Sequence, residues 1–393
     1  MSAASILSKR LRPIYERAVE RLARLERKTP VNAASQHRPA LAAKTPPPLS
    51  ILHVDLTHNF GGTERYCADL MRYQLEAGHR VSLVAWQLRH GQKDAVQDHV
   101  PPGAHVYLVR RNFARFAIAR AIREQHADII NAHLGDSARA VKLVKPRPPA
   151  VLTLHLRYRA DQTKGLEGLI CIADWQKKEI AKFPDLSTTA YNWPPAVVPA
   201  EPDRVAALRR QIGATPDTVV AGYIGRLVRV KDVDLLIEAY RAAATPNSML
   251  AIVGDGPERA KLEALARGEP RIRFLGHQTE IDAWHRAFDL FVLASHWEGL
   301  PLTPLEAMRC GTPILATACA GTEEVLRGTS ATLVPPGDVE TLSAALKHLL
   351  TRAEEGALPR TGYDLARFDA RRSVAHIEDF YRQVIAAKIA RKI

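Results

Sequence analysis

Along most of the 393-residue chain, short apolar runs alternate with stretches of helical periodicity, and this pattern restricts the fold more than any other feature. The runs at 51–56, 81–85, 106–109, 128–131, 151–155 and 168–172 are strand-sized, and helical stretches separate most of them. Strands apolar on both sides need cover on both faces, and interleaved helices provide it, so a parallel doubly wound sheet is expected. A Pro-rich stretch, 193–202, breaks the series. A second series follows, with strands at 219–224, 249–253, 272–275, 290–293, 313–316 and 331–334 and helices starting near Val233, Glu258, Ile281 and Leu302. The expected architecture is α/β: two Rossmann-like domains, 49–198 and 199–370, joined by a hinge. The last segment, 371–393, reads as a helix that crosses back to the first domain, with Val374, Ile377, Phe380, Tyr381, Val384 and Ile385 on its apolar side. Open parallel sheets bind ligands at their carboxyl ends, so a cleft between two such edges is the expected site.

Residues 1–48 depart from this pattern. Leu7, Leu11, Ile14, Ala18, Leu22 and Leu25 recur at helical spacing, Arg10, Arg17, Arg21, Arg24, Arg27 and Lys28 fill much of the remaining surface, and a Pro-, Ala- and Thr-rich linker follows. This is a basic amphipathic helix, suited to packing on a protein surface or to lying in an anionic lipid interface. The net charge of +13 is unevenly placed: residues 1–50 hold 10 basic and 3 acidic side chains, 51–200 hold 20 and 14, and 201–393 hold 25 of each. The first half is therefore expected to meet an anionic partner. Arg110, Arg111, Arg115, Arg120 and Arg123, interleaved with Phe113, Phe116, Ile118 and Ile122, form a second basic amphipathic stretch. It suits a bilayer surface or an ordinary helix with one solvated face. No zinc module or aromatic–basic platform is present, so nucleic acid is not an expected partner. Four widely spaced cysteines argue against a disulfide framework, no apolar run reaches the ~20 residues of a membrane span, and the early charges at Lys9 and Arg10 make a poor signal peptide. The expected location is cytoplasmic, peripheral on the inner face of the membrane.

Several motifs fall where strands end. Gly61-Gly62-Thr63-Glu64 joins the first strand to a helix, and its glycines let a backbone approach a ligand near a helix N-terminus. It lacks the Gly-x-Gly-x-x-Gly spacing of a dinucleotide fingerprint. Gly225-Arg226 and Lys231 put two cations at the end of a strand, which suits a diphosphate. Gly254-Asp255-Gly256-Pro257 makes a tight turn at the same edge. Glu298 lies just past a strand and Glu306 a turn into the next helix, so both carboxylates can face one cleft and accept hydroxyl hydrogen bonds. Gly321-Thr322 opens a further helix after the next strand. Taken singly, each is also what a plain turn or a solvated helix start looks like.

Taken together, in order, these motifs resemble the retaining glycosyltransferases of family 4, with the GT-B fold. The resemblance runs from about Tyr223 to Val325, through Phe274-Leu275-Gly276 and the Glu-x7-Glu element from Glu298 to Gly311-Thr312-Pro313. In the first domain it covers the glycine loop, Asn131-Ala132-His133 and Thr153-Leu154-His155. It implies that Gly61 and Gly62 lie at the donor diphosphate or transferred sugar, and that Arg226 and Lys231 hold the diphosphate as leaving group. Glu298 would contact sugar hydroxyls and Glu306 the ribose. Gly225, Gly254 and the backbone of Leu275, Gly276 and His277 would frame the nucleotide. Gly321 and Thr322 would donate main-chain N–H groups, and His155 would lie near the reaction centre. Two departures stand out: Glu298 is followed by Gly299-Leu300-Pro301-Leu302, and His155 by Leu156 where an acidic or amide residue is common.

The implied reaction moves a hexose from a UDP- or GDP-sugar, a co-substrate, to a glycan or lipid-linked acceptor with retention of configuration. No cofactor and no metal are expected. The implied setting is bacterial cell-surface polysaccharide or lipopolysaccharide synthesis. A nucleotide-sugar epimerase on the same fold, an anionic-polymer-binding protein and an inactive partner subunit are the competing readings.

Overall fold

The computed structural model describes residues 46–57, 60–87, 95–195 and 200–391. The amphipathic segment 6–28 lies outside them. The first sheet has seven parallel strands in the order β3-β2-β1-β4-β5-β6-β7. These are β1 (Ser50–Asp55), β2 (Arg80–Trp86), β3 (His105–Val109), β4 (Ile129–His133), β5 (Ala150–Leu154), β6 (Gly168–Cys171) and β7 (Leu186–Thr189). Helices α1 (Gly62–Glu76), α2 (Ala114–Gln125), α3 (Leu134–Lys142), α4 (Ala160–Thr163) and α5 (Gln176–Glu179) connect them. Strand β7 escapes the sequence reading because Leu186-Ser187-Thr188-Thr189 is mostly polar, as an edge strand can be.

The second sheet has six parallel strands in the order β10-β9-β8-β11-β12-β13. They are β8 (Val219–Ile224), β9 (Ser248–Val253), β10 (Ile272–Gly276), β11 (Leu290–Leu293), β12 (Ile314–Thr317) and β13 (Thr332–Val334). Its helices are α6 (Pro202–Gln211), α7 (Val233–Ala243), α8 (Arg259–Leu265), α9 (Ile281–Ala287), α10 (Leu302–Arg309), α11 (Ala320–Leu326) and α12 (Val339–Glu354). In each sheet the strand order reverses once, between β1 and β4 and between β8 and β11, and a crevice opens at the carboxyl ends of such a pair. The two crevices face each other.

Close packing fixes the seam between the domains. A Cβ on Gly299 would sit 2.6 Å from the His155 carbonyl oxygen, so only glycine lets the Glu298 loop approach the end of β5. Trp175 Nε1 donates to the Gly299 carbonyl at 2.7 Å, and Asn192 Nδ2 to that of Leu300 at 3.1 Å. The Glu324 carboxylate accepts from the backbone N–H groups of Asp174 and Trp175.

The last helix, α13 (Ala370–Ala390), returns to the first domain. Asp369 caps it, accepting from Arg372 N at 2.7 Å. Its buried Val374, Ile377, Phe380, Tyr381 and Val384 complete a core with Ile51, Tyr66, Leu70, Ile129, Val151, Ile170 and Trp193. Gly168 on β6 lies under the Phe380 ring, where a Cβ would come within 3.0 Å. Phe380→Ala is expected to cost about 3–5 kcal/mol in chemical denaturation, the usual range for truncating a buried phenylalanine. A loss no larger than that of an exposed substitution would mean that α13 does not hold this core together.

Candidate active site

Between the two carboxyl edges lies a cavity of ≈ 460 Å³. The first domain lines it with Phe60, Gly61 and Gly62 after β1, Arg65 on α1, His155 after β5, and Asn192. The second contributes Gly225 and Arg226 after β8, Lys231, Gly254 after β9, His277 and Gln278 after β10, Glu298 after β11, and Glu306 on α10. Ten of the residues given roles from sequence therefore meet here: Gly61, Gly62, His155, Gly225, Arg226, Lys231, Gly254, His277, Glu298 and Glu306.

Leu275, Gly276, Gly321 and Thr322 stand behind this lining. The Gly276 carbonyl accepts from Gly254 N at 2.8 Å, and the Leu275 carbonyl from Gln278 Nε2 at 2.9 Å. Gly321 lets the start of α11 pack directly on the Glu298 loop, since a Cβ there would overlap the Gly299 carbonyl. Thr322 is buried, with its hydroxyl 3.2 Å from Cys319 Sγ. Gly254 has φ +136°, a region that favours glycine, and a Cβ there would run into the Gly225 carbonyl. Gly254 thus lets neighbouring strand ends close over one another, Gly225 leaves room for the Tyr223 hydroxyl, and both line the cavity.

The charged groups form two cross-linked sets. Lys231 Nζ donates to Glu298 Oε1 at 2.6 Å, and Ser295 Oγ donates to the same oxygen at 2.6 Å. Glu298 Oε2 and the remaining Lys231 protons keep their hydrogen-bonding capacity. In the other set, Arg65 reaches across the cleft from α1 and donates to Glu306 Oε1 at 3.0 Å. Glu306 is only 2 % exposed, and burial pushes its carboxyl above the ordinary range, with Arg65 the chief opposing influence. His285 Nε2 stands 4.0 Å behind the other Glu306 oxygen. Burial lowers the pKa of that ring to about 3, so it is neutral at pH 7. Glu64, also buried, has its carboxyl raised by desolvation, and Arg226 is among the groups that pull it back.

His155 is not isolated. Its Nε2 lies 3.1 Å from His133 Nδ1, and His133 Nε2 lies 3.0 Å from His53 Nδ1. His53 Nε2 in turn lies 2.8 Å from Gln74 Oε1. Strand register explains the diagonal. His53 on β1 is level with Asn131 on β4, so His133 sits two residues nearer the cleft; His133 is level with Thr153 on β5, and His155 is two residues beyond that. Period-two alternation keeps all three on one face.

Sequence reasoning passed over Arg65, His53, Gln74 and His285. Arg65 adjoins a quoted motif and carries a signal only once α1 is known to face the second domain. The others sit in apolar segments where a lone polar residue looks like an ordinary satisfied core group. The expectation of no metal also passed over an Asp-x-Asp triplet, Asp232-Val233-Asp234. It opens α7 outside the cavity lining, with Asp232 3.7 Å from His296 and Asp234 accepting from Lys261 at 3.0 Å.

Comparison with known proteins places this geometry. Residues 60–220 match the family described as Glycosyltransferase Family 4, and residues 218–352 match Glycosyl transferases group 1. A D-inositol 3-phosphate glycosyltransferase of Geodermatophilus obscurus is 36% identical over 169 residues, 39% of this chain and 37% of that protein. The lipopolysaccharide core biosynthesis mannosyltransferase LpsB of Rhizobium meliloti is 34% identical over 135 residues, 31% of this chain and 38% of the relative. The chain thus spans about half or less of the length of the curated relatives it matches. Among solved structures, Anabaena Alr3699/HepE, in complex with UDP and glucose, superposes with a TM-score of 0.70 at 20% identity, covering 85% of this chain and 100% of its own. WaaG, a glycosyltransferase of lipopolysaccharide biosynthesis, superposes at 0.60 with 18% identity, over 86% of this chain and 98% of its own. The chain therefore has the GT-B fold and belongs to glycosyltransferase family 4.

Proposed function

We propose that the protein is a retaining, metal-independent hexosyltransferase that uses a UDP- or GDP-linked sugar. One observation carries this reading: two sheets that share no strand bring Gly61, Gly62, Arg226, Lys231, Glu298 and Glu306 to one cavity. The diphosphate lies against the glycine backbone, Arg226 and Lys231, which stabilise the charge that develops as the sugar–phosphate bond breaks. Glu298 Oε2 accepts from the sugar hydroxyls. Glu306 holds the ribose, while His277 and Gln278 flank the base. In the front-face scheme the C1–O bond to phosphate breaks as the acceptor oxygen bonds to C1. The acceptor proton passes to the departing phosphate oxygen. A carboxylate nucleophile, the alternative in retaining glycosyl chemistry, has no favoured candidate: Glu298 is tied to Lys231 and Ser295, and Glu306 to Arg65.

The acceptor is a glycan or lipid-linked glycan of a bacterial cell surface, reached at the cytoplasmic face of the membrane. The naming of LpsB as a lipopolysaccharide core mannosyltransferase favours this class. So does the surface of the first domain. Phe113 and Phe116 are 58% and 55% exposed, Arg115 stacks on Phe116 at 4.5 Å, and a concavity of ≈ 600 Å³ opens beside them along the β3 edge. Ile118, by contrast, is buried in the core. Apolar rings among arginines on one face suit an anionic lipid surface. No helix among the described residues is long and apolar enough to cross a membrane.

A thermal-shift panel of UDP- and GDP-sugars should identify one that stabilises the wild type and fails to stabilise Lys231→Ala. With that donor, transfer should persist in EDTA, the product should keep the donor's anomeric configuration, and Lys231→Ala should lose about 10²–10³ in turnover. Wild-type turnover in a folded Lys231→Ala protein would refute the assigned role. Glu306→Gln should separate function from stability. Because the folded-state pKa of Glu306 lies above its unfolded value, the ionised carboxylate costs stability as pH rises through that window. The variant should therefore unfold at or above the wild-type temperature at pH 7, and the difference should vanish below about pH 4. Its kcat/KM should fall about 10- to 100-fold, the loss of a charge-assisted hydrogen bond. Finally, the protein should co-sediment with phosphatidylglycerol vesicles and be released by salt. Equal recovery on phosphatidylcholine vesicles would remove the electrostatic part of the membrane proposal.

A further inference from the structure

The hydrogen-bonded line from Gln74 through His53 and His133 to His155 crosses the first domain from its core to the cleft. Every link joins groups that are buried or nearly so. Burial lowers the His53 pKa to about 4 and that of His155 to about 3, and it holds His133 well below the ordinary histidine range. All three rings are neutral at pH 7. A neutral imidazole carries one N–H and one lone pair, so the direction of the first bond dictates every later one.

Gln74 sets that direction. Its Oε1 faces His53 and can only accept. On its other side is Tyr381, brought in by α13. Asn131 Nδ2 donates to the Tyr381 oxygen at 2.8 Å, while the buried Gln74 Nε2 makes no hydrogen bond of its own among the described residues. The amide presents its carbonyl oxygen, 2.8 Å away, to His53 Nε2. His53 then carries its proton on Nε2 and accepts on Nδ1 from His133 Nε2–H, and His133 Nδ1 accepts from His155 Nε2–H. Tyr66 seals the line from one side, its ring edge-on to His155 at 5.0 Å and to His133 at 6.1 Å.

We propose that Gln74, His53 and His133 are positioning residues that lock His155 as the Nε2–H tautomer, so that it presents Nδ1 to the cleft as a hydrogen-bond acceptor. The group this atom takes is a hydroxyl, and in the transfer reaction proposed above it is a hydroxyl of the donor hexose. That last step rests on the transferase reading, whereas the tautomer does not. The acceptor capacity is fixed before the ligand arrives, so no proton has to be lost when the hydroxyl docks. His53, His133 and Cys67 Sγ also lie within 4.8 Å of one another, a spacing that a metal could use. Their facing ring nitrogens are already committed to each other, and burial, aided by Asp55 and Glu64, keeps the Cys67 thiol protonated.

The test is nitrogen NMR on the full chain labelled at histidine, with the three rings assigned by His53→Phe, His133→Phe and His155→Phe. At pH 7, His53, His133 and His155 should each show a protonated Nε2 and a lone-pair Nδ1. Gln74→Met removes the acceptor that orients the line and should shift the His155 proton partly to Nδ1, while Gln74→Glu, which still accepts, should restore the wild-type pattern. A proton on Nδ1 of any of the three rings in the wild type, or stoichiometric zinc released only on unfolding, would overturn the relay. So would a His155 tautomer unmoved in a folded Gln74→Met protein. If Gln74→Met does not fold, the wild-type spectrum decides alone. None of these outcomes depends on a donor being turned over, so failure of the relay and failure of the transferase proposal are separable.

Discussion

Every strand in both sheets runs parallel to its neighbours, and the rest of the molecule depends on that. Parallel pairing forces each connection to cross a sheet face, so all strands of a sheet leave by the same edge. Turns after β1, β5, β8, β9, β10 and β11 are therefore neighbours in space although they span Gly61 to Glu298 in sequence. Two such edges set face to face concentrate main-chain N–H groups, cations and carboxylates without any one segment carrying a complete site. The same geometry places polar side chains on successive strands in a diagonal, which is how three histidines far apart in sequence come within hydrogen-bonding distance.

The seam between the domains is made of backbone. Gly299 against His155, and the carbonyls of Gly299 and Leu300 taking bonds from Trp175 and Asn192, are contacts in which a side chain is excluded or only donates. Such contacts are sensitive to position, so the loop carrying Glu298 is registered against the strand carrying His155. Arg65 and Glu306 add one ionic link across the opening. On the far side, Arg309, at the end of α10, bonds the Pro195 carbonyl and Asp282, so the Pro-rich connection is held at its start by the helix that carries Glu306.

Much of this was legible in the sequence because parallel sheets leave a strong trace. The buried strands β8 and β11 are continuous apolar runs, and their limits were read without error. The edge strand β7, mostly polar, left none. The residues of the cavity were legible where chemistry requires a rare residue type at a strand end, as with Gly61-Gly62, Arg226 and Lys231, or Glu298 and Glu306. They were illegible where the role depends on a partner from another element. Arg65 matters because α1 faces α10, and His53 matters because Gln74 lies above it; neither relation has a local signature. Phe113 and Phe116 were read as part of an amphipathic helix, but only the structure separates them from Ile118, which turns inward.

The return of α13 to the first domain has a consequence for biosynthesis. A ribosome delivers the chain from its amino end, and the first domain's core lacks Val374, Ile377, Phe380, Tyr381 and Val384 until the final helix emerges. The second domain, contiguous from about residue 202 to 368, has all its strands before then. The order of completion is thus the reverse of the order of translation. The half that carries the glycine loop and His155 becomes whole only after the half that carries Glu298 and Glu306 already exists. Until α13 emerges, Tyr66 and the β1 and β4 residues Ile51 and Ile129 lack the cover that completes their core.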